Sequence, residues 1–178
     1  RQVQHMVRLL DDLLDMSRIT QDKLELRKEH VELAAILEQA LETSRPHVEG
    51  DGHEITVALP PQPVYLDADP VRLVQVFSNL LNNAARYTQP GGQIWLVAEQ
   101  DGDEVVVAVK DTGAGIPPDK LGSVFDLFVQ LDRPVEQARS GLGIGLTLVK
   151  RLVEMHGGSV AAFSNGPGQG SEFVVRLP

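Results

Sequence analysis

Apolar side chains recur every three or four residues in some stretches of this chain and alternate with polar ones in others. The first pattern predicts helices and the second predicts strands. Helical spacing covers residues 1–19, 33–45, 70–88, 121–128 and 145–155. Alternation covers residues 24–31, 55–59, 64–66, 93–99, 104–110, 160–163 and 172–177. The order of these elements predicts an α/β fold, a two-layer sandwich in which helices cover one side of a mixed sheet.

Turn and cap signals set several boundaries of these elements. Asp69 is predicted to cap the third long helix, with Pro70 in its first turn. The Asp-Gly-Asp turn at residues 101–103 predicts a hairpin between two strands. Pro46 and the Gly-Asp-Gly turn at residues 50–52 are predicted to end the second helix.

The first helix has a broad apolar stripe with charged residues opposite, which is typical of a helix in a hairpin or bundle. Its apolar positions are Val3, Met6, Val7, Leu10, Leu13, Leu14 and Met16. A joint is predicted at residues 20–22, so we expect an N-terminal unit over residues 1–22 and a main domain over residues 23–178. The alternative is a helix that packs on its own domain.

Composition and charge narrow the functional classes. Of the 178 residues, 42% are hydrophobic, which is ordinary for a globular protein. The absence of cysteine excludes disulfides and any cysteine nucleophile or metal ligand. The net charge of −9 argues against nucleic acid as a partner, and no apolar run is long enough to cross a membrane. Because the chain starts at Arg1 and not at methionine, we expect it to be a piece of a longer protein.

The third helix carries an unusual polar stripe. Asn79 and Asn83 are four residues apart and therefore stack on one side, with Arg86 and Tyr87 one turn further on. Asparagine is a poor helix former, so two stacked amides in a strong helix suggest a task beyond solvation. Amide oxygens can ligate a hard cation such as Mg²⁺, which would bring phosphates near Arg86. The alternative is a solvated polar face.

Asp111 ends a strand just before Gly113 and Gly115. A carboxylate there could accept a hydrogen bond from an exocyclic amine such as that of adenine. The two glycines would let a flat ring approach the backbone. The alternative is a plain Asp-x-Gly turn.

A second glycine-rich segment, residues 141–145, opens the last helix after a long segment that we expect to form a lid. Its free N–H groups would face an anion at the positive end of the helix dipole. Leu146 stands where a dinucleotide fingerprint needs glycine, and no Gly-Lys-Ser/Thr follows, so neither that fingerprint nor a Walker loop fits. A glycine-rich hinge is the alternative.

Taken in order, these segments resemble the catalytic ATP-binding domain of sensor histidine kinases. Residues 79–88 are similar to the N box of that family, residues 111–115 to its G1 box, residues 125–128 to its F box and residues 141–146 to its G2 box. The Gly-Ser-Glu-Phe sequence at residues 170–173 is similar to its last element beside the adenine. The resemblance spans residues 23–178. It implies a Bergerat-type ATP-binding fold of the gyrase, Hsp90, histidine kinase and MutL-like superfamily.

The resemblance also implies roles for individual residues. Asn83 would hold Mg²⁺ against the phosphates, Arg86 would contact phosphate, Asp111 would read adenine and Tyr87 would flank the base. Gly141 and Gly143 would lend backbone amides to the phosphates. The expected catalytic residues are Asn79, Asn83 and Arg86. The expected ATP-binding residues are Asn79, Asn83, Arg86, Tyr87, Asp111, Gly113, Gly115, Ile116, Gly141, Leu142, Gly143, Gly145, Leu146 and Ser171.

The wider superfamily includes ATPases that carry a glutamate, the general base for water, at one position of the third helix. By the resemblance, Asn79 occupies that position in this chain. An amide cannot take a proton at neutral pH, so we predict very slow ATP hydrolysis and a need for an outside nucleophile. In this family the nucleophile is a histidine imidazole. Catalysis would then consist mainly of placing the γ-phosphoryl group and neutralising its charge.

The first helix resembles the second helix of the dimerisation hairpin of the family. The other helix of that hairpin, which carries the acceptor histidine, is absent from the sequence, so we expect ATP binding without self-phosphorylation. None of His5, His30, His47, His53 and His156 has an acceptor-like setting. His53 precedes an acid, but the alternation around it indicates a strand.

The favoured hypothesis is therefore a kinase core that passes phosphate from ATP to a histidine in two-component signalling. Its expected partners are ATP, Mg²⁺, a histidine-bearing dimerisation hairpin, a response-regulator receiver domain and, in the parent, a second copy. We expect a cytoplasmic location, with a parent that can be anchored to a membrane. One alternative is a nucleotide-binding regulatory or scaffold module without phosphotransfer. An ATPase of the same superfamily is the other, which Asn79 disfavours.

Overall fold

The structure is a computed structural model that describes residues 2–21, 24–50, 52–126 and 145–178. The helices in these ranges are α1 (Gln2–Thr20), α2 (Leu33–Gly50), α3 (Pro70–Tyr87), α4 (Pro118–Leu121) and α5 (Gly145–Met155). The strands are β1 (Glu29–Glu32), β2 (Glu54–Ala58), β3 (Tyr65–Ala68), β4 (Gln93–Asp101), β5 (Glu104–Asp111), β6 (Ser159–Phe163) and β7 (Ser171–Leu177). None of the described helices combines the length and apolarity that spanning a membrane requires.

The main sheet has five strands in the order β2-β4-β5-β7-β6. β2 runs parallel to β4, and the other neighbours are antiparallel. β1 and β3 form a separate antiparallel pair. The mixed sheet with its helices confirms the predicted α/β class.

The core lies between this sheet and a layer of helices. Along β4, Ile94 and Leu96 are fully buried, whereas Trp95 between them is only half-buried, so one face of the strand carries the core. β5 repeats the pattern, with Val107 and Val109 on its buried face. In the helical layer, α3 packs against both α2 and α5. The helix with the asparagine stripe is therefore the central one.

The apolar face of α3 is buried as the sequence predicts. Leu73, Phe77, Leu80, Leu81 and Ala84 are all at most 3% exposed. The predicted cap is also confirmed, because the carboxylate at position 69 accepts hydrogen bonds from the first backbone N–H groups of the helix. Packing on both sides fixes how α3 is rotated, and this decides which way its polar stripe points.

Of the two signals predicted to end the second helix, the turn that begins at Gly50 is confirmed, because α2 ends there, and Pro46 is wrong, because this proline lies inside α2. A proline forfeits one helical hydrogen bond, but burial of the flanking turns offsets that loss. Ser44 and Val48, on either side of Pro46, are both buried, and the Ser44 hydroxyl donates to the carbonyl of Ser78 at 3.4 Å. Tertiary contact with α3 therefore keeps the last turn helical.

The apolar stripe of α1 is mostly exposed in the single chain. Met16 is buried, with 7% exposure, but Val3, Met6, Val7, Leu10, Leu13 and Leu14 are 41–72% exposed. α1 packs against α5, and its Asp15 carboxylate accepts a hydrogen bond from Arg72 of α3 at 2.9 Å. In the single chain the exposed side chains of the stripe are therefore open to contact with another surface.

Candidate functional site

A cleft forms where the C-terminal half of α3, the end of β5 and the start of β7 meet. Its lining residues are Asn83, Tyr87, Asp111, Gly115, Ile116, Val124, Leu146, Ser171 and Phe173. The ATP-binding set predicted from the sequence contains all of these except Val124 and Phe173. Segments far apart in the chain therefore converge on one place. The signals for the two missed residues are the apolar pattern near residue 124 and the Gly-Ser-Glu-Phe element.

Asp111 is the buried carboxylate of the cleft, with 3% of the residue exposed. Its Oδ1 accepts a hydrogen bond from the backbone N–H of Gly113 at 2.8 Å, and its Oδ2 accepts one from the Ser171 hydroxyl at 2.9 Å. Burial raises the pKa of Asp111 above its usual range, and the bonds from Gly113 and Ser171 partly offset this effect. The backbone N–H of Ser171 is a third donor to this carboxyl. An ionised carboxylate has about four acceptor sites, so capacity remains for one donor from a ligand.

The glycines after Asp111 allow a close approach, and in this structure the approaching atoms are backbone atoms of the protein itself. A Cβ at position 113 would collide with the carbonyl oxygen of Tyr87. At Gly115, which has a φ of 74°, a Cβ would collide with the carbonyl oxygen of Gly166. The need for glycine at both places therefore follows from packing of the turn.

Backbone hydrogen bonds tie this turn to α3 on one side and to the loop before β7 on the other. The N–H of Ala114 donates to the carbonyl of Tyr87 at 2.9 Å, and the N–H of Gly168 donates to the carbonyl of Ala114 at 2.7 Å. Ile116 donates its N–H to the Ser164 hydroxyl at 3.0 Å. The position of Asp111 is thereby set relative to the end of α3.

The asparagine stripe is divided between the cleft and the protein interior. Asn83 lines the cleft together with Tyr87, one turn further along α3. Asn79 is half-buried, and its Nδ2 has no hydrogen-bond partner in the described part of the chain. Neither Asn79 nor Arg86 is among the described residues that line the cleft. The site therefore gathers the second of the two predicted asparagines.

A metal ion would have few protein ligands here. Within the described ranges, no group of three or more histidine, cysteine or acidic side chains could hold one. The amide oxygen of Asn83 suits a hard cation that completes its shell with phosphates and water. The donor chemistry therefore fits Mg²⁺ bound together with a phosphorylated ligand.

The far side of the cleft is anchored to α5. The Thr147 hydroxyl donates to the carbonyl of Phe125 at 2.7 Å. The ring of Phe125 meets Phe173 edge-on, with centroids 6.0 Å apart and planes at 86°. Gly145 begins α5. The other predicted residues of this region, Phe128, Gly141, Leu142 and Gly143, lie outside the described residues.

An asparagine-bearing helix facing a buried Asp-x-Gly turn across the edge of a mixed sheet defines a class, the α/β ATPase-like nucleotide-binding domains. Residues 68–178 match the family of histidine kinase-, DNA gyrase B- and HSP90-like ATPases. The chain belongs to this family. Within it, sequence and fold are those of the catalytic ATP-binding domain of sensor histidine kinases.

Two relatives illustrate the likeness in sequence. The circadian input-output histidine kinase CikA of Synechococcus elongatus is 36% identical over 177 residues, which is 98% of this chain and 23% of that protein. The alginate biosynthesis sensor protein KinB of Pseudomonas aeruginosa is also 36% identical over 177 residues, with 99% of this chain and 29% of that protein covered. The chain thus spans about a quarter of the length of these relatives.

One solved structure illustrates the likeness in fold. Full-length ShkA in complex with AMPPNP superposes with a TM-score of 0.83 at 35% identity. The match covers 98% of this chain and 36% of that protein.

Proposed function

We propose that this chain is the ATP-binding kinase core of a sensor histidine kinase, which transfers the γ-phosphoryl group of ATP to a histidine of a dimerisation domain. The observation that carries the proposal is the convergence of Asn83 and Tyr87 with Asp111 and Ser171 in one cleft. Membership of the family, the likeness to the histidine kinase CikA and the likeness to ShkA, solved in complex with AMPPNP, support it.

The Asp111 side of the cleft would bind the adenine. Its carboxylate would accept a hydrogen bond from the exocyclic amine, since an ionised carboxylate offers acceptors only. The bonds from Gly113 and Ser171 hold the carboxylate in place before the ligand arrives, which reduces the entropy lost on binding. Tyr87, Ile116 and Phe173 supply flat and apolar surface for the base.

The Asn83 side would bind the phosphates. Asn83 would hold Mg²⁺, whose charge would neutralise that of the phosphates, and Arg86 one turn further would add a guanidinium. Asn79 gives no general base, because an amide does not take up a proton at neutral pH. Transfer of the γ-phosphoryl group to an imidazole supplied by another domain is therefore favoured over attack by water. Gly141, Leu142 and Gly143 would complete the proposed phosphate contacts through backbone amides.

The remaining partners are inferred from the family. The exposed stripe of α1 is compatible with the second helix of a dimerisation hairpin, so residues 1–22 would belong to that unit and residues 23–178 to the catalytic domain. The parent would be a homodimer that passes phosphate to a response-regulator receiver domain. A cytoplasmic location of this part of the parent also rests on the family alone.

The adenine assignment is tested by calorimetry of ADP binding to the Asp111→Ala variant, with and without Mg²⁺. We expect a loss of about 1–3 kcal/mol of binding free energy, because the adenine amine is left without its acceptor. Asp103→Ala is the matched control, since Asp103 is exposed in the hairpin turn at the other end of β5. Unchanged binding by the Asp111 variant would contradict the assignment.

Phosphotransfer is tested by supplying a separate hairpin domain with an acceptor histidine and radioactive ATP. The kinase proposal expects label on the hairpin, and loss of that label with Asn83→Ala. Nucleotide binding without label would instead favour a regulatory or scaffold module. Sustained release of inorganic phosphate without the hairpin would favour an ATPase, against the reading of Asn79.

A further inference from the structure

His53 lies directly behind the candidate site, between the start of β2 and the C-terminal end of α3. Its side chain is buried, with 7% of the residue exposed. Its Nε2 lies 3.0 Å from the carbonyl oxygen of Thr88 and 3.1 Å from that of Gln89. Because both neighbours are acceptors, Nε2 must carry the proton, and its single N–H is shared between the two carbonyls.

These carbonyls follow the end of a helix, where the last C=O groups have no partner within the helix itself. The preceding carbonyl, that of Tyr87, accepts the N–H of Ala114 at 2.9 Å. Three successive carbonyls, at residues 87–89, are thus bound by donors from outside α3. His53 supplies a donor for the carbonyls of Thr88 and Gln89, and the carbonyl of Gln89 also accepts the N–H of Gly92 at 2.9 Å.

The segment that His53 holds is connected to both sides of the cleft. Tyr87 and Asn83 line the cleft from α3, just before the carbonyls that His53 holds. Ala114, which bonds to Tyr87, lies three residues after Asp111 in the same turn.

Stability alone gives a poor account of a histidine at this position. Its Nδ1 is buried and has no hydrogen-bond partner among the described residues. A buried acceptor that stays unpaired lowers stability, and an apolar side chain would avoid this loss. An apolar side chain would, however, leave the carbonyl of Thr88 without this donor, whereas that of Gln89 would keep its bond from Gly92.

We propose that His53 is a positioning residue for the nucleotide. By holding the end of α3, it fixes the separation between Asn83, on the phosphate side, and Asp111, on the adenine side. The proposal rests on the nucleotide-binding function proposed above. It requires no contact between His53 and the ligand.

The test compares His53→Phe with His53→Gln in calorimetric titrations of the purified chain with ADP and Mg²⁺. Phenylalanine keeps the ring but removes the donor, whereas the amide of glutamine can donate from a similar position. We expect the Phe variant to bind ADP about 5- to 10-fold more weakly, the effect of one lost hydrogen bond, and the Gln variant to bind like the native chain. Fluorescence of Trp95, the single tryptophan, reports whether each variant is folded.

Val175→Ala is the matched control for a loss of stability alone. Val175 is fully buried in β7, beside Val107, and is not among the described residues that line the cleft. This variant should unfold at lower urea concentration yet bind ADP normally. The proposal is overturned if the Phe variant binds ADP like the native chain, or if folded Phe and Gln variants bind equally poorly.

A second measurement needs no nucleotide. Hydrogen exchange of the Ala114 amide should be faster in His53→Phe than in the native chain, and His53→Gln should restore its protection. Unchanged exchange in the Phe variant would overturn the positioning role. If the native chain itself fails to bind ADP, the proposed function fails, and the exchange result still decides whether His53 holds α3 against the Asp-x-Gly turn.

Discussion

Backbone atoms of α3 and of the turn after Asp111 approach each other closely enough that one added carbon would separate them. Gly113 lies under the carbonyl of Tyr87, next to the hydrogen bond from Ala114. Small residues at such contacts matter because backbone on both sides cannot move aside as a flexible side chain can. The geometry of the site therefore depends on residues with no side-chain chemistry.

The first prediction concerns Gly113→Ala. Its new methyl group would push α3 and the turn apart, so we expect a loss of about 1–3 kcal/mol in the free energy of unfolding, as for other overpacked sites. Urea titration followed by Trp95 fluorescence measures it. Gly122→Ala is the matched control, because a Cβ there meets nothing within 4 Å. Equal stability of the two variants would contradict the close contact at Gly113.

The sequence alone can indicate a site residue when its spacing along one helix or strand shows which way its side chain points. Asn83 and Tyr87 are four apart on a predicted helix, and Asp111 ends a predicted strand, so each could be assigned a direction before the fold was known. His53 carries no such local signal. Its partners, Thr88 and Gln89, are 35 and 36 residues away, and only the tertiary fold brings them together.

At the level of elements, α3 and α5 are joined through a hydrogen-bonded histidine. The Nδ1 of His156, just after α5, donates to the carbonyl of Leu152 at 2.7 Å. Its Nε2 accepts the backbone N–H of Asp69 at 3.1 Å, and Asp69 in turn caps α3. This arrangement requires the neutral ring, since Nε2 must be free of a proton to accept.

The second prediction concerns stability at low pH. Burial is the main cause that lowers the pKa of His156, and the charge of Lys28 lowers it further. The hydrogen bond of His156 to Leu152 and the charge of Asp69 act in the opposite direction but do not outweigh burial. A base with a depressed folded-state pKa stabilises the fold above its unfolded pKa of about 6.5, and this stability is lost as the pH falls through the folded-state pKa. We therefore expect unfolding free energies to fall with pH below about 6.5.

The variant His156→Gln isolates this effect, because an amide cannot be protonated in this range. Urea titrations between about pH 8 and pH 5, the range in which histidine titrates, measure the unfolding free energy of both chains. The difference between the native chain and His156→Gln should decrease as the pH falls. His30→Gln is the control, since the His30 side chain is 72% exposed. Parallel curves for the native chain and His156→Gln would contradict the prediction.

Some elements are determined by signals in their own stretch of sequence, and others depend on contacts with distant residues. The β4–β5 hairpin follows from alternation and a short turn, and α3 follows from its cap and apolar period, so both are confirmed close to their predicted ends. The end of α2 depends on burial of Ser44 and Val48 against other elements, which a proline rule applied to Pro46 does not contain. The parallel pairing of β2 with β4 is likewise set by the tertiary fold.

At the level of the whole molecule, α1 is connected to the central helix of the catalytic domain by a small polar network. The guanidinium of Arg72 in α3 lies 2.9 Å from the Asp15 carboxylate in α1. The Gln75 side chain bonds to both, accepting from Arg72 at 3.1 Å and donating to Asp15 at 3.1 Å. The side chain of Arg72 is 19% exposed and that of Asp15 is 12% exposed, so water screens this ion pair poorly.

The third prediction follows from that burial. A double-mutant cycle with Arg72→Met and Asp15→Asn should give a coupling free energy of about 1–3 kcal/mol, as for charged groups that share hydrogen bonds. The exposed pair Arg176 and Asp101, 3.3 Å apart with side chains 44% and 68% exposed, should give about 0–1 kcal/mol in a parallel cycle. Urea unfolding of the single and double variants measures both.

The same cycle decides how α1 relates to the nucleotide site. If the network joins α1 to α3 in solution, disrupting it should raise hydrogen exchange along the C-terminal part of α1 while α3, held by α2 and α5, stays protected. A coupling no larger than that of the exposed pair would mean that the ion pair contributes little, and that α1 is held mainly by burial of Met16 and by packing on α5. A large coupling means instead that the network is a direct energetic link between α1 and the helix that carries Asn83.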